Sequence, residues 1–541
     1  MATIVLSAAG MALGGSLGGT VLGLSTAVIG RAAGAMLGRA IDERLLGRGS
    51  APVETGRVDR FRLTGASEGR AVGRIWGRMR TGGQIIWAGP FVESSRTTGG
   101  KGAPSQPRTT AFSYSVSFAV ALCEGEITHV GRVWADGEEI APGDLEMRVY
   151  TGSRTQMPDP AIQAVEGDAP AYRGVAYVVI EDLDLARFGN RVPQLSFEVF
   201  RPAIEDDPSR AEDMARLVTG VAMIPGTGEY ALATEPVYLT GAYGETTVAN
   251  VSTASGRSDF VTSLDQLTGE MPNCGAVSLV VSWFGDDLRA GVCSLRPKVE
   301  QAERDGDMAW SVSGLSRGTA GLVARAEGRP VYGGTPADAS VVQAIREMTA
   351  RGQAVMFYPF LLMEQLAGNG RPDPWGGDEQ AALPWRGRIT TALAPGLPGS
   401  TDGTQAAEAE VAAFFGAARP EDFTAGADGV AYTGPEDWGL RRMILHYAHL
   451  CALAGGVESF CIGSEMVALT RIRGAGGSFP AVEAFRQLAA EVRAILPGAK
   501  IGYAADWSEY HGYQPPGTAD KLFHLDPLWA DPAIDFIGID N

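Results

Sequence analysis

Cysteine is scarce in this chain: Cys123, Cys274, Cys293, Cys451 and Cys461 are the five among 541 residues. They are scattered, odd in number and never form a CxxC pair, which argues against a disulfide framework and against a cysteine zinc site. Folding in a reducing cytoplasm fits that usage. Histidine is equally scarce, at five. His446 and His449 lie three apart on an expected helix and lack an acidic partner at metalloprotease spacing, so they are read as packing residues rather than metal ligands. Neither a metal nor a cofactor is expected. Positive charge is also short: 45 Lys and Arg stand against 63 Asp and Glu, a net charge of −18. Nucleic-acid binding needs cations to displace counterions from phosphates, so specific DNA binding is not expected. The same repulsion suits a conduit through which DNA slides, although acidity by itself also serves solubility.

Charge is absent altogether from Ala2 to Gly30, and Arg31 is the first charged residue. The stretch is long enough to cross a bilayer but has no positive n-region of a signal peptide. Its glycines recur at four-residue spacing, Gly10, Gly14 and Gly18, then Gly30, Gly34 and Gly38. On a helix they form a small-residue stripe along which backbones approach closely. Three readings compete: self-packing as a bundle that plugs a tube, insertion into a membrane when triggered, and simple flexibility, since each Gly costs a helix about 1 kcal/mol. Self-packing is preferred, with membrane contact as a later event. Residues 1–50 are taken as this segment.

Residues 51–205 read as an antiparallel β-rich domain. Phe112, Tyr114, Val116, Phe118, Val120 and Leu122 alternate with small residues, and Leu195, Phe197 and Val199 alternate with Ser196 and Glu198. Period two with one apolar face is a half-buried strand. Val175 to Ile180 is continuously apolar, as in a strand buried on both faces. Asp136-Gly137 suits a hairpin turn. Arg57, Arg60, Arg62, Arg70, Arg74, Arg78 and Arg80 form a local basic cluster against the acidic background. It suits either an interface with an acidic neighbour or a solvated strand face.

Residues 206–270 read as a connecting segment, helical from Asp206 to Val221. From 271 to 541 strands alternate with helices. Strands are expected at Val277–Trp283, Ala354–Leu361, Val457–Ile462, Ile501–Ala505 and Ile534–Ile539. Thr335-Pro336 is expected to open a helix carrying Val341, Val342, Ile345 and Met348. Further helices carry Leu440, Met443, Ile444, Tyr447 and Leu450, then Val482, Phe485, Leu488, Val492 and Ile495. A long insertion spans about 363–434. This alternation implies a parallel sheet. Trp283-Phe284-Gly285-Asp286-Asp287 follows the first strand in place of a Gly-rich nucleotide loop, which favours a (β/α)8 barrel over a dinucleotide fold. About five of eight strands are visible, so the barrel is incomplete and the chain is expected to belong to a longer protein.

Reacting groups of such barrels sit at the carboxyl ends of strands. Asp286, Asp287, Tyr358, Glu465, Asp506, Trp507, Glu509, Tyr510 and Asp540 fall there. Carboxylates interleaved with aromatic rings suit sugar recognition, and glycosidic cleavage needs two carboxyl groups flanking the bond. Glu465 is the candidate acid/base, with Asp506 and Glu509 as weaker candidates. Trp283, Tyr358, Trp507 and Tyr510 are candidate sugar-stacking residues.

Short motifs add a resemblance. Tyr150-Thr-Gly, Gln156-Met-Pro-Asp-Pro160, Ala171-Tyr-Arg-Gly174 and Gly189-Asn-Arg-Val-Pro-Gln194 resemble the tail-hub region of siphophage tip proteins. Trp283-Phe-Gly-Asp-Asp-Leu-Arg289 and Asp535-Phe-Ile-Gly-Ile-Asp-Asn541 resemble the glycosidase-like TIM barrel of the megatron baseplate proteins of gene transfer agents. Gly463-Ser464-Glu465 resembles the strand-end Asn-Glu of barrel glycosidases, with Ser464 in place of Asn; the partner nucleophile of that family lies on a later strand. The resemblance implies a virion tail baseplate component: a homotrimeric hub around a DNA channel, next to distal tail and hub proteins, that helps attachment and DNA delivery. A host envelope glycan is the implied ligand. Hydrolysis does not follow, because one fold hosts many functions.

Overall fold

The computed structural model describes residues 71–98, 109–140, 144–201, 214–226, 228–241, 244–253 and 255–540, together with Val53–Thr55 and a few isolated positions before them. The glycine stripe from Gly10 to Gly38, the first four arginines of the basic cluster and Asn541 lie outside the described residues. No described helix is long and apolar enough to cross a membrane. The chain divides into two compact units, Met1–Arg201 and Pro202–Asn541.

The first unit is built of strands β1 (Gly77–Thr81), β2 (Gln84–Ala88), β3 (Val92–Thr98), β4 (Thr109–Glu124), β5 (His129–Ala135), β6 (Glu138–Ile140), β7 (Glu146–Tyr150), β8 (Val175–Asp184) and β9 (Leu195–Arg201), with one helix, α1 (Pro160–Glu166). In one sheet β7 pairs with β8 and β8 with β4, while β2 and β3 pair with the far side of β4. The other sheet has the order β1-β9-β5-β6, antiparallel throughout. Their apolar faces share one core, in which Val116, Phe118 and Val120 of β4 meet Phe197 and Val199 of β9. The alternation seen in the sequence is therefore the alternation between this core and the opposite sheet face, which is itself buried at Ala119 and Ala121. The continuous apolar run of β8 divides between two cores. Val178 and Ile180 enter the shared core, and Tyr177 and Val179 pack under Ile162 of α1. Asp159 caps α1 by accepting from the amides of Ala161 and Ile162, which satisfies donors that a helix start leaves unpaired.

The second unit is a curled parallel sheet of six strands: β10 (Gly220–Met223), β11 (Ala276–Gly285), β12 (Ala354–Met363), β13 (Ser459–Ser464), β14 (Lys500–Asp506) and β15 (Phe536–Asp540), paired in that order. Helices α2 (Asp259–Glu270), α3 (Asp338–Ala350), α4 (Gln405–Phe415), α5 (Leu440–Ala454) and α6 (Pro480–Ile495) follow, and α4 belongs to the insertion. This is a β-rich domain followed by an incomplete TIM barrel. The apolar stripes of the helices meet alternate residues of the strands. Phe485, Leu488 and Val492 of α6 and Tyr447 of α5 are fully buried against Phe357, Phe460, Ile501 and Tyr503. Each such side chain stabilises the fold by roughly 1.5–3 kcal/mol.

Two expectations are corrected. The helix expected from Asp206 to Val221 is, among the described residues, one turn at Met214–Leu217. Gly220–Met223 is instead the first barrel strand, parallel to Ala276–Leu279. Six strands are present, not five, and the first comes from the connecting segment. It is four residues long, too short for two-residue periodicity to outweigh the helical pattern before it. Thr335 does not cap α3 either. Its hydroxyl donates to the carbonyl of Ser282 (2.9 Å), and α3 begins at Asp338.

Asp338 and His446 close the contact between α3 and α5. His446 Nε2 lies 2.9 Å from Asp338 Oδ1, both side chains are buried, and Asp338 Oδ2 accepts from the Val430 amide (3.2 Å). His449 stacks on Phe423. Among the described residues no cluster of His, Cys, Asp or Glu could hold a metal. Asp338→Ala would leave a buried imidazole and amide without partners. We expect a loss of about 1–3 kcal/mol, read as a lower urea midpoint for the unfolding of the full chain.

Candidate functional site

The carboxyl ends of the barrel strands carry a carboxylate on five of the six strands: Asp286 and Asp287 after β11, Glu364 after β12, Glu465 after β13, Asp506 ending β14 and Asp540 ending β15. Parallel pairing brings these ends to one rim.

Nearly all of these groups are tied down. Asp287 is buried and accepts from Arg289 (2.8 and 3.0 Å), Arg371 (3.1 Å) and Gln380 (2.8 Å). Burial pushes its carboxyl up, but the donors of Arg289 and Gln380 outweigh this and hold it at about 2. Asp286 accepts from the Ser294 amide (2.8 Å) and lies 3.6 Å from Arg371. Glu364 is paired with Lys298 and accepts from the Ala324 amide. Asp540 accepts from the Tyr358 hydroxyl (2.6 Å). Asp506 caps the short helix α7 (Trp507–Tyr510) by accepting from the Ser508 amide (2.8 Å), and Glu509 returns a bond to the Asp506 amide as the other half of a capping box. The weaker acid candidates thus hold a turn.

Glu465 is placed differently. A register shift in the β13–β14 pairing falls between Cys461 and Ser464, and bulges of this kind re-aim side chains. Gly463 permits the close packing there, because a Cβ on it would come within 2.8 Å of the Phe485 ring. Glu465 itself takes the left-handed region, φ +50°, at a cost of order 1–2 kcal/mol. Its amide donates to Ala504 O (2.8 Å), which fixes the turn. Two donors from the insertion converge on one oxygen: Trp385 Nε1 lies 2.7 Å and Arg386 Nη2 2.9 Å from Glu465 Oε2. Arg386 is buried, donates to Ser464 O and Ser464 Oγ (3.0 Å each) and lies over the Phe360 ring at 3.9 Å. Among the described residues Oε1 of Glu465 makes no hydrogen bond. The group therefore presents a single oxygen beside the Trp385 ring, which is 41% exposed.

The candidate sugar-stacking residues separate. Trp507 (59% exposed) and Tyr510 stand out from α7 with their faces available. Tyr510 also lines a cavity of about 400 Å³ with Phe523, His524 and Trp529. Tyr358 is buried in the barrel interior beside Cys461 and Ala504, with its hydroxyl committed to Asp540. Trp283 is fully buried; its Nε1 donates to the Tyr447 hydroxyl (2.8 Å) and its ring lies against Trp438 and His446. It offers no face to a ligand. The reason is strand alternation: Val277, Leu279, Val281 and Trp283 all face the helices. Trp385 and Arg386 were not foreseen from the sequence, because they lie in an insertion with no periodicity. The only local signal was the run Pro384-Trp385-Arg386.

Glu509 is almost fully buried and accepts from Thr470 Oγ1 (2.6 Å) and the Tyr503 hydroxyl (2.9 Å). Burial is the largest influence on its carboxyl and raises it to about 7. A buried acid raised in this way is still protonated in the folded state when its unfolded counterpart has ionised. Its contribution to stability therefore falls as pH rises from about 4.5 to about 7 and is level outside that window. Glu509→Gln removes the titrating group. Between pH 4.5 and 7.5 the variant should lose about 2–3 kcal/mol less unfolding free energy than the native chain, measured by urea denaturation at both pH values.

A family comparison agrees with the barrel fold over the last part of the chain. Residues 438–541 match the family described as the GTA TIM-barrel-like domain. A chain from the virion of a native gene transfer agent particle is 56% identical over a match covering 41% of this chain and 44% of that one, with a TM-score of 0.25. The chain thus spans less than half the length of that relative. A GH113 β-1,4-mannanase is 16% identical over 52% of this chain and 56% of its own, with a TM-score of 0.25. The GH113 β-mannanase of Alicyclobacillus acidocaldarius in complex with ManMIm is 14% identical over 49% and 50%, at 0.23. Likeness that slight carries no argument about substrate. No curated protein matches the chain. Residues 438–541 thus match the GTA TIM-barrel-like domain, and part of the chain is similar to a chain of a gene transfer agent virion.

Proposed function

We propose that this chain is a structural component of the tail baseplate of a gene transfer agent particle. In this reading several copies, three by the family expectation, encircle the DNA channel beside the distal tail and hub proteins. The apolar amino-terminal segment closes the channel and contacts a membrane during delivery. The observation that carries the proposal is the 56% identity to a chain of a native gene transfer agent virion. The acidic balance of the chain supports it, because a wall of like charge lets DNA pass without retention.

At the barrel mouth the geometry favours binding over turnover. Glycosidic cleavage needs two carboxyl groups flanking the bond. Here the other carboxylates of the rim are engaged by arginine, lysine, tyrosine or a helix start, and Glu465 keeps Oε1 free of hydrogen bonds among the described residues, beside the indole of Trp385. An exposed indole beside a carboxylate is a fitting platform for a sugar ring, with the ring face on Trp385 and a hydroxyl on Glu465. A host envelope glycan is the proposed ligand, held without hydrolysis.

Two experiments test these statements. Particles from a strain lacking this chain should lose density at the tail end in cryo-electron microscopy; an unchanged tail end would remove the baseplate assignment. The purified full chain should bind host envelope polysaccharide without releasing reducing sugar, and Trp385→Ala should weaken binding about tenfold. Sugar release abolished by Glu465→Gln would establish hydrolysis in its place.

A further inference from the structure

The sheet β1-β9-β5-β6 ends in two strands of opposite charge. Among the described residues neither β1 nor β6 has a strand on its outer side. At one edge β1 carries Arg78 and Arg80. At the other, the residues of β6 are Glu138, Glu139 and Ile140, the two glutamates exposed. Unpaired sheet edges are pairing templates, and proteins normally blunt or cover them.

One face of this sheet links the two edges. Across it Arg80 pairs in register with Glu198, and Trp134 with Glu139. The Arg80 guanidinium lies 4.1 Å from the centre of the Trp134 ring, and that of Arg132 lies 5.1 Å from it. Arg78 (2.7 Å) and Arg132 (3.1 Å) both hold Glu198. Three guanidinium groups against one carboxylate leave two positive charges on this face. Arg80 bonds only a hydroxyl, Ser196 Oγ (2.8 Å), and has no carboxylate partner among the described residues. Glu139, at the far edge of the same face, has no cation partner among them. On the opposite face Met79 of β1 is 53% exposed although it pairs in register with buried Val199.

We infer that β1 of one copy pairs with β6 of the next, so that copies of this chain join head to tail through a continuous antiparallel sheet. The strand directions permit it. Four strands alternate between the edges, so β1 and β6 run in opposite senses, and a rotated copy brings its β1 antiparallel to β6. The seam sets Arg80 of one copy beside Glu139 of the next, and Met79 beside Ile140. A charge pair directly across two strands is the unit of sheet stabilisation, and a head-to-tail contact closes into a ring when the rotation permits. The inference rests on the reading that copies encircle an axis and names the surface by which they do so.

The test is a charge swap in the full chain, followed by sedimentation velocity across a concentration series. The native chain should associate. Arg80→Glu and Glu139→Arg should each weaken association about tenfold, and Glu139→Arg, which breaks no ion pair within the monomer, should leave its thermal unfolding unchanged. The double variant, Arg80→Glu with Glu139→Arg, should regain most of the native affinity. Association that neither single variant alters would overturn the edge pairing and leave the oligomer reading standing. A native chain that stays monomeric at every concentration would overturn both. Failure of the double variant to recover would also sink the seam, because like charges would then not be the cause of the loss.

Discussion

One buried arginine organises the barrel mouth. Arg386 comes from the insertion after the third strand, packs its guanidinium on Phe360 of that strand, bonds both oxygens of Ser464 on the fourth and pairs with Glu465 beyond it. A buried cation without these partners would be strongly unfavourable, so the insertion has one place to dock. Docking then positions Trp385, the neighbour of Arg386, against the same carboxylate oxygen. The exposed indole, the strained Glu465 backbone and the bulge in β13 all follow from satisfying this one charge.

That dependence explains which parts of the molecule could be read from the residues alone. The β-rich domain and the parallel barrel were legible because strands β4 and β9 and helices α5 and α6 have long apolar periodicities, and burial converts periodicity directly into a face. Glu465 was legible because a polar residue closing an apolar strand sits on the rim by topology. Trp283 misled for the same topological reason: it lies near a strand end, but its parity puts it among the helices with Val281 and Leu279. Counting by twos along β11 separates it from Ser282 and Phe284. Trp385 and Arg386 were not legible, since their position depends on a long-range ion pair that no local pattern encodes. The strand Gly220–Met223 was hidden by its shortness.

The two units handle charge in different ways. In the barrel each acid on the rim is answered locally by a cation, a hydroxyl or an amide, so the rim is a braced structure with little charge left to act on a substrate. In the β-rich unit the answer is incomplete. Glu198 takes up Arg78 and Arg132, with its carboxyl held at about 2: burial works against ionisation, but the two guanidinium groups prevail. Arg80 is left facing Trp134. In a chain of net charge −18, a surplus of cations on one sheet face is a local departure from the overall balance, and Met79 on the other face of the same sheet is exposed.

The distinction between a braced rim and a catalytic one comes down to how many carboxyl oxygens remain uncommitted. A general acid must exchange its proton with the leaving group, and a second carboxylate must reach the opposite side of the sugar. Glu465 meets the first need with one free oxygen, while its other oxygen carries two donors that favour a fixed orientation over proton exchange. Asp540 lies two strands away with its Oδ2 on the buried hydroxyl of Tyr358, and Asp506 is occupied in starting a helix. Recognition requires only what the rim and its insertion already hold: an indole face, one oxygen in a fixed position, and an arginine that keeps both in place.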